Sequence, residues 1–458
     1  MPEKGSKGGM SFGRGASLLS ALVAVTGLLT YGFHSLVAHA LGRDAYGVIG
    51  VLWAAVFLTA SVIYRPVEQL LSRTIAERQA RDRPIGQALR VAATIQLSLT
   101  AGFVLLALVF RTRIEDELFN GNATLYWCLV AAVVSYAGSY FARGFLAGEQ
   151  RFGLYGGLVL MESASRFVLG LLLIVGVLNG KNAAGVAIAV APLLSLFVVP
   201  WALGRHVRRV SAASGAAADQ RDGDFTVSQG LGFAAAVLVI MFSEQSILNS
   251  GVLIVKVDTG SDSLAALIFA VLMIARAPLQ LFQAVSTTLL PYLTRLIVSE
   301  GGTAHSGEFG RTVRLTVLAC LGFGAATVVG VLIAGPAVMR LLFGSKFDYD
   351  RGGLALVAAG MGMYLAATTL NQAVLAQGRA RFAAAAWAVS ATFFVTFLLA
   401  ANMQAVREVE VGFIATAAIL SSLLYVAYRR PVRVTEARLR PGSGEEIEAV
   451  LAAADEGS

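Results

Sequence analysis

The chain has 458 residues, of which 57% are apolar and 14% are charged, and its mean hydropathy is +0.71. Soluble domains carry roughly 25% charged residues, so this composition excludes a soluble globular protein and indicates an integral membrane protein. The formal net charge is +8. The basic residues are spread over short connections rather than gathered in one patch, which argues against a nucleic-acid partner.

Apolar runs of about 20 residues follow one another along the chain, and each is long enough to cross about 30 Å of hydrocarbon as a helix. We therefore predict an all-α membrane protein with twelve transmembrane helices. The runs cover residues 16–41, 48–71, 87–110, 124–146, 154–178, 183–204, 229–255, 264–297, 312–343, 353–375, 382–405 and 411–428. The first run is too long for a signal peptide and should stay in the mature protein.

A polar connection divides these runs into two sets of six. Residues 205–227 are rich in small and charged residues and lack apolar periodicity, which is typical of a flexible linker. The predicted organisation is a cytosolic N-terminal segment, a first lobe, a cytosolic linker, a second lobe and a cytosolic tail. These segments cover residues 1–15, 16–204, 205–227, 228–430 and 431–458.

The two halves resemble one another. The second helix of each half ends similarly, with "LLSRTIAE" at 70–77 and "YLTRLIVSE" at 292–300, and the fourth helices end with "FLAGEQRF" at 145–152 and "VLAQGRARF" at 374–382. Six helices return the chain to the same side of the membrane, so the copies are predicted to be parallel repeats. This pattern predicts two pseudo-symmetric six-helix lobes with a substrate site between them.

The basic residues also predict the orientation. If the N-terminus is cytosolic, the inner segments hold 24 of the 36 Lys and Arg residues, Arg143 among them. The positive-inside rule then places both termini and the linker in the cytosol.

Several passages, in their order and spacing, resemble the polysaccharide-exporter branch of the multidrug/oligosaccharidyl-lipid/polysaccharide flippase superfamily. They are "LGRDAYGVIGVLWA" at 41–54, "SRTIAE" at 72–77, "FLAGEQRFGLYGGLVLMESASRF" at 145–167, "AVSTTLLPYLTRL" at 284–296, "GPAVMRLLFGSKFD" at 335–348 and "LNQAVLAQGRARF" at 370–382. One departure stands out. Many members of that branch have an aspartate in the seventh helix, where this chain has "NSG" at 249–251.

The resemblance implies a transporter, not an enzyme, that flips a lipid-linked oligosaccharide across the bacterial plasma membrane by alternating access. Surface polysaccharide synthesis, of lipopolysaccharide or exopolysaccharide, is the implied process. The implied partners are this substrate, membrane lipids, and a polysaccharide polymerase and glycosyltransferases of the same process. No cofactor or metal site is expected.

Arginines near the middle of the membrane are the first candidate ligands. At about 1.5 Å per residue, Arg166 lies roughly 18 Å along the fifth helix and Arg276 roughly 20 Å along the eighth. A guanidinium offers a planar, permanently charged fork for the oxygens of a diphosphate. We therefore predict that Arg166 and Arg276 bind substrate, following the general expectation for intramembrane charges.

Acidic residues in the same helices are predicted to pair or to couple. Glu162 is one turn from Arg166, and Glu244 lies about 22 Å along the seventh helix. The alternative for Glu162 and Arg166 is that they only neutralise each other and fix helix packing. Arg65, with Glu68, lies close to the cytosolic face and lines the inner mouth of the cavity or simply anchors the helix at the interface. We expect Tyr31, His34 and Asn249 to make interhelical hydrogen bonds.

Other functions predict different sequence features. Ion-coupled multidrug exporters of this superfamily typically hold an acid in the first helix, and residues 16–41 contain none. A peptidoglycan-precursor flippase usually has about two further helices. A membrane glycosyltransferase, polymerase or ligase would need a sizeable outer loop, and the longest outer connection predicted here is residues 112–123.

Overall fold

The computed structural model describes residues 7–80, 84–198, 227–277, 279, 293 and 307–430, and these residues form helices and short connections. The helices are α1 Lys7–Leu41, α2 Arg43–Ala80, α3 Gly86–Val109, α4 Arg111–Phe119, α5 Ala123–Gly148, α6 Phe152–Ile174, α7 Gly180–Ser195, α8 Val227–Thr259, α9 at 262–277, α10 Glu308–Phe343, α11 Arg351–Ala376, α12 Ala380–Ala400 and α13 Ala405–Arg429. The tail, nearly all of the linker and the first six residues lie outside the described residues.

Ten helices of the described part are long and apolar enough to cross a membrane. The other two predicted spans correspond to α7 and α9, whose apolar runs continue into residues that the structure does not describe. The predicted all-α membrane fold of two six-helix lobes is confirmed, with α1–α3 and α5–α7 in the first lobe and α8–α13 in the second.

Helix packing repeats between the lobes. In the first lobe, α1 packs on α6, α5 on α7, and α6 on α7. Six membrane spans later, α8 packs on α12, α11 on α13, and α12 on α13. The same pairing order in both halves is what parallel repeats require.

Glycine allows two further helix pairs, α10 with α11 and α5 with α2, to approach closely, as small residues do in membranes. The Cα atoms of Gly324 in α10 and Gly362 in α11 face each other so closely that a Cβ on Gly324 would lie 2.6 Å from the Cα of Gly362. A Cβ on Gly144 in α5 would lie 2.8 Å from the carbonyl oxygen of Glu68 in α2. The second contact brings the charged residues of α2 next to Arg143.

The helix α4 lies in a region for which the sequence predicts only a connection. Two i,i+4 ion pairs run along it, Arg111 to Glu115 at 3.3 Å and Arg113 to Glu117 at 2.8 Å. Such exposed pairs contribute about 0.3–0.5 kcal/mol each. Phe119 is fully buried and anchors the helix to the first lobe. We call this end of the bundle the α4 end, and the opposite end, where the linker joins the lobes, the linker end.

Candidate substrate site between the lobes

The lobes are in direct contact toward the α4 end. The Tyr31 hydroxyl donates to the carbonyl oxygen of Met273 at 2.9 Å, and Arg43 Nε donates to that of Ser263 at 3.2 Å. The ring of Phe269 from α9 lies 5.0 Å from His34 and 5.9 Å from Tyr46. These contacts join α1 and α2 to α9, so the lobes are closed against each other over this part of the membrane.

Glu162 is the centre of a buried charge cluster in the first lobe, with only 2% of its surface exposed. Its carboxylate accepts from Arg166 at 2.9 Å and from Arg143 at 2.5 Å. The Tyr136 hydroxyl donates to the same carboxylate at 2.6 Å, and Ser139 Oγ lies 3.5 Å away. The predicted neighbours on α6 are therefore paired, and a second arginine shares the acid.

Arg166 contacts the acid, a tyrosine hydroxyl and two aromatic rings. Its surface is 3% exposed, and besides Glu162 it donates to the Tyr136 hydroxyl at 2.8 Å. Its guanidinium lies 5.0 Å from the Trp53 ring and 5.9 Å from the Phe57 ring, within the range of cation–π attraction. In this conformation Arg166 lies in the wall of the first lobe and has almost no surface to offer a ligand.

Arg143 was not among the predicted site residues, because it was counted with the arginines of the inner segments. It lies five residues before the end of α5. A long side chain from that level reaches toward the membrane interior, and its guanidinium packs 4.8 Å from the Tyr140 ring on the way to Glu162. The sequence feature that indicates this position is the distance of Arg143 from the end of its helix, which is more than one turn.

A second charged group lies between the lobes. Arg65 and Glu68 of α2 and Glu244 of α8 are all half-buried. Arg65 is close enough for its charge to interact with both acids, although Glu244 belongs to the other lobe. Tyr155 donates to Glu68 at 3.1 Å, and the Tyr364 hydroxyl lies 3.4 Å from Glu244. Both acids thus have a tyrosine partner, and neither has an ion pair within 4 Å among the described residues.

Arg276 differs from the other arginines. It is half-buried on α9, and its hydrogen bond goes to Asn249 Oδ1 at 3.4 Å, which is long for such a bond. Its Nε is buried and has no hydrogen-bond partner among the residues that the structure describes. Within the described residues, no carboxylate lies at ion-pair distance from it, and the Tyr31 and Tyr364 hydroxyls are near enough for their dipoles to interact with its charge.

The predicted interhelical hydrogen bonds are present. Tyr31 bonds to α9, Asn249 to Arg276, and His34 Nδ1 lies 3.3 Å from the Tyr46 hydroxyl. Among the residues that the structure describes, no group of three His, Cys, Asp or Glu side chains is placed to hold a metal ion. The polar groups described in this centre are guanidinium, carboxylate and phenol groups, and of these the guanidinium is the one whose charge suits an anion.

The fold and this charged centre define a multi-pass membrane protein of two helical lobes. No protein-family profile matches the chain, and no curated protein matches it. Three solved structures of MATE transporters are similar in fold. The first, an inward-facing multidrug resistance MATE family transporter of the MOP superfamily, has a TM-score of 0.68 at 14% identity and covers 90% of this chain and 97% of its own.

The second is a mutant of the Vibrio cholerae MATE transporter VcmN, with a TM-score of 0.62 at 15% identity over 92% of this chain and 97% of its own. The third is an outward-facing multidrug resistance MATE family transporter of the MOP superfamily, with a TM-score of 0.59 at 16% identity over 91% of this chain and 94% of its own. At these identities the likeness shows the fold: this chain has the architecture of the MATE transporters.

Proposed function

We propose that this protein is a transporter that moves a lipid-linked saccharide across the bacterial plasma membrane by alternating access, for surface polysaccharide synthesis. The observation that carries the proposal is Arg276, a half-buried guanidinium between the lobes with no carboxylate at ion-pair distance in the described chain. A cation at this depth costs about 2.5–3.5 kcal/mol or more. An anionic ligand would offset that cost.

A diphosphate suits this site. Arg276 presents a planar fork that can bind two phosphate oxygens at once. Arg65 supplies a second cation on the facing lobe, and Glu68 and Glu244 neutralise it while no substrate is bound. Arg166 supports the wall through Glu162 in this conformation. The implied partners remain membrane lipids, a polysaccharide polymerase and glycosyltransferases.

The orientation can be tested by labelling. Because most basic residues lie in the inner segments, we expect both termini and the linker to be cytosolic and α4 to be outside. A cysteine at Arg113, which is exposed on α4, should react with a membrane-impermeant maleimide in intact cells, whereas a cysteine at Gly215 in the linker should react only after lysis. The reverse pattern would invert the proposed topology.

Loss of the protein should leave lipid-linked saccharide on the inner leaflet while its synthesis continues. The reason is that the chain supplies a route for the headgroup and no machinery to build it. Radiolabelled precursor in a deletion strain, fractionated by leaflet accessibility, measures this. A return to normal distribution on complementation is the control, and an unchanged distribution in the deletion strain contradicts the proposal.

A second candidate function is an ion-coupled multidrug exporter. Two observations favour it: the similar solved structures are multidrug transporters, and Glu68 and Glu244 are half-buried acids able to face a cationic drug. Normal surface polysaccharide with increased drug sensitivity in the deletion strain would support this candidate. Accumulation of a peptidoglycan precursor instead would indicate a flippase for that lipid.

A further inference from the structure

A polar contact at the α4 end joins the lobes through one residue, Asn120. This residue ends α4 in the left-handed conformation, with φ of 53°. Its carboxamide oxygen accepts from Lys256 Nζ at 2.7 Å, and its amide nitrogen donates to Asp262 Oδ2 at 2.7 Å. Asn120 belongs to the first lobe, while Lys256 and Asp262 belong to the second.

The two charged partners are themselves paired. Lys256 Nζ lies 2.6 Å from Asp262 Oδ1 and donates to the carbonyl oxygen of Gly260 at 3.1 Å. The Lys256 side chain is fully buried. An ammonium has three N–H donors, and here Asn120 and Gly260 accept one each, while Asp262 supplies the opposite charge at ion-pair distance. The carboxamide fits because its acceptor faces the cation and its donor faces the anion.

Backbone contact beside this cluster is close as well. A Cβ on Gly47 of α2 would collide with the carbonyl group of Asp262, so the first turn of α9 lies directly on α2. The backbones of the two lobes therefore meet beside Lys256, whose side chain is fully buried, while Asn120 lies at the exposed edge of this contact.

We propose that Asn120 is a latch residue that holds the two lobes together at the α4 end and is released when they separate. On separation, water replaces the carboxamide at both Lys256 and Asp262, and these two remain paired within the second lobe. Breaking the latch therefore costs little once the interface is wet, as a reversible gate requires. The inference rests on the alternating-access part of the proposed function and not on the identity of the substrate.

Removing the side chain should favour the open arrangement. With Asn120→Ala, the closed form leaves one N–H of a buried ammonium unpaired, whereas the open form is unaffected. Hydrogen bonds to charged groups contribute enough that the ratio of open to closed molecules should rise by about tenfold or more. The matched control is Asn182→Ala, whose amide side chain bonds to Asn122 at 2.8 Å within the first lobe.

Spin labels on the full chain measure the opening. Cysteines at Arg113 and Asn402 place one label on each lobe at the α4 end, and the native Cys128 and Cys320 are buried. We expect electron–electron distance distributions in nanodiscs to shift toward longer distances for Asn120→Ala and to stay unchanged for Asn182→Ala. Thermal melts of both variants check that each is folded.

Equal distributions for Asn120→Ala and the parent protein overturn the latch. An equal opening of Asn182→Ala overturns it too, because any polar loop change would then have the same effect. The measurement uses no substrate. If Asn120→Ala opens the lobes in a protein that fails to move lipid-linked saccharide, the latch stands and the proposed substrate is wrong.

Discussion

Replacing Glu162 by alanine is expected to lower the free energy of unfolding by about 3–5 kcal/mol, because two buried arginines lose their common counter-ion. Arg166 is 3% exposed and the Arg143 side chain 12% exposed, so neither can recover its lost partner from water without rearrangement. The tyrosine at 136 loses its acceptor in the same step. Chemical denaturation in detergent at equal protein concentration measures the change.

The ion pair of α4 offers a matched control. Glu117 pairs with Arg113 in the same i,i+4 spacing as Glu162 and Arg166, but its side chain is 40% exposed and that of Arg113 is 72% exposed. Glu117→Ala should therefore cost at most about 0.5 kcal/mol. If Glu162→Ala costs no more than Glu117→Ala, the cluster is not the buried core of the first lobe.

The same cluster changes the meaning of an arginine variant. Glu162 keeps Arg143 when Arg166 is replaced by alanine, so the acid is not left without a counter-ion. The variant Arg143→Met, Glu162→Gln, Arg166→Met removes all three charges. It should recover much of the stability lost in Glu162→Ala, since apolar residues of similar volume often replace a buried charge triad without loss.

The second large effect concerns transport. Replacing Arg276 by lysine should reduce transport of lipid-linked saccharide by tenfold or more, although the charge is kept, because an ammonium cannot reproduce the bidentate fork. Arg276→Gln should reduce it further. Proteoliposomes loaded with labelled lipid-linked saccharide, with reductions compared at equal protein abundance, give the measurement.

Arg276 is well suited to this test because its replacement leaves no acid of the described residues without a partner. Its described hydrogen bond goes to an asparagine at 3.4 Å, so folding should be almost unchanged and lost transport can be assigned to the site. Arg113→Lys, on the exposed face of α4, is the control and should transport normally. Full activity of Arg276→Lys would contradict the proposed diphosphate site.

Much of the architecture follows from the sequence because the lipid environment leaves the backbone few allowed structures. Every backbone amide and carbonyl in hydrocarbon must be paired within the segment, so an apolar run of about 20 residues becomes a helix. Counting runs and comparing "LLSRTIAE" with "YLTRLIVSE" therefore predicts two six-helix lobes. The pairing of Glu162 with Arg166 is also readable, since residues four apart share one helix face.

The connection at 112–123 shows where this reasoning stops. Its charges indicate an exposed segment, but the helix α4 depends on Phe119 packing into the first lobe and on ion pairs that are individually weak. A polar segment of nine residues is too short to be a stable helix alone. Tertiary contact supplies the remaining stabilisation of α4, so the sequence pattern predicts only a connection.

By itself, the sequence determined the membrane class, the succession of helices and the local pair on α6, because each depends on residues a few positions apart. Only the tertiary structure decided that Arg143 shares Glu162 from 19 positions away and that Asn120 meets Lys256 from 136 positions away. Apolar helices expose similar residues to lipid, so hydropathy does not specify which helices pack against each other. That choice is made by close approach at positions such as Gly47 and Gly144, where a missing side chain lets two backbones touch.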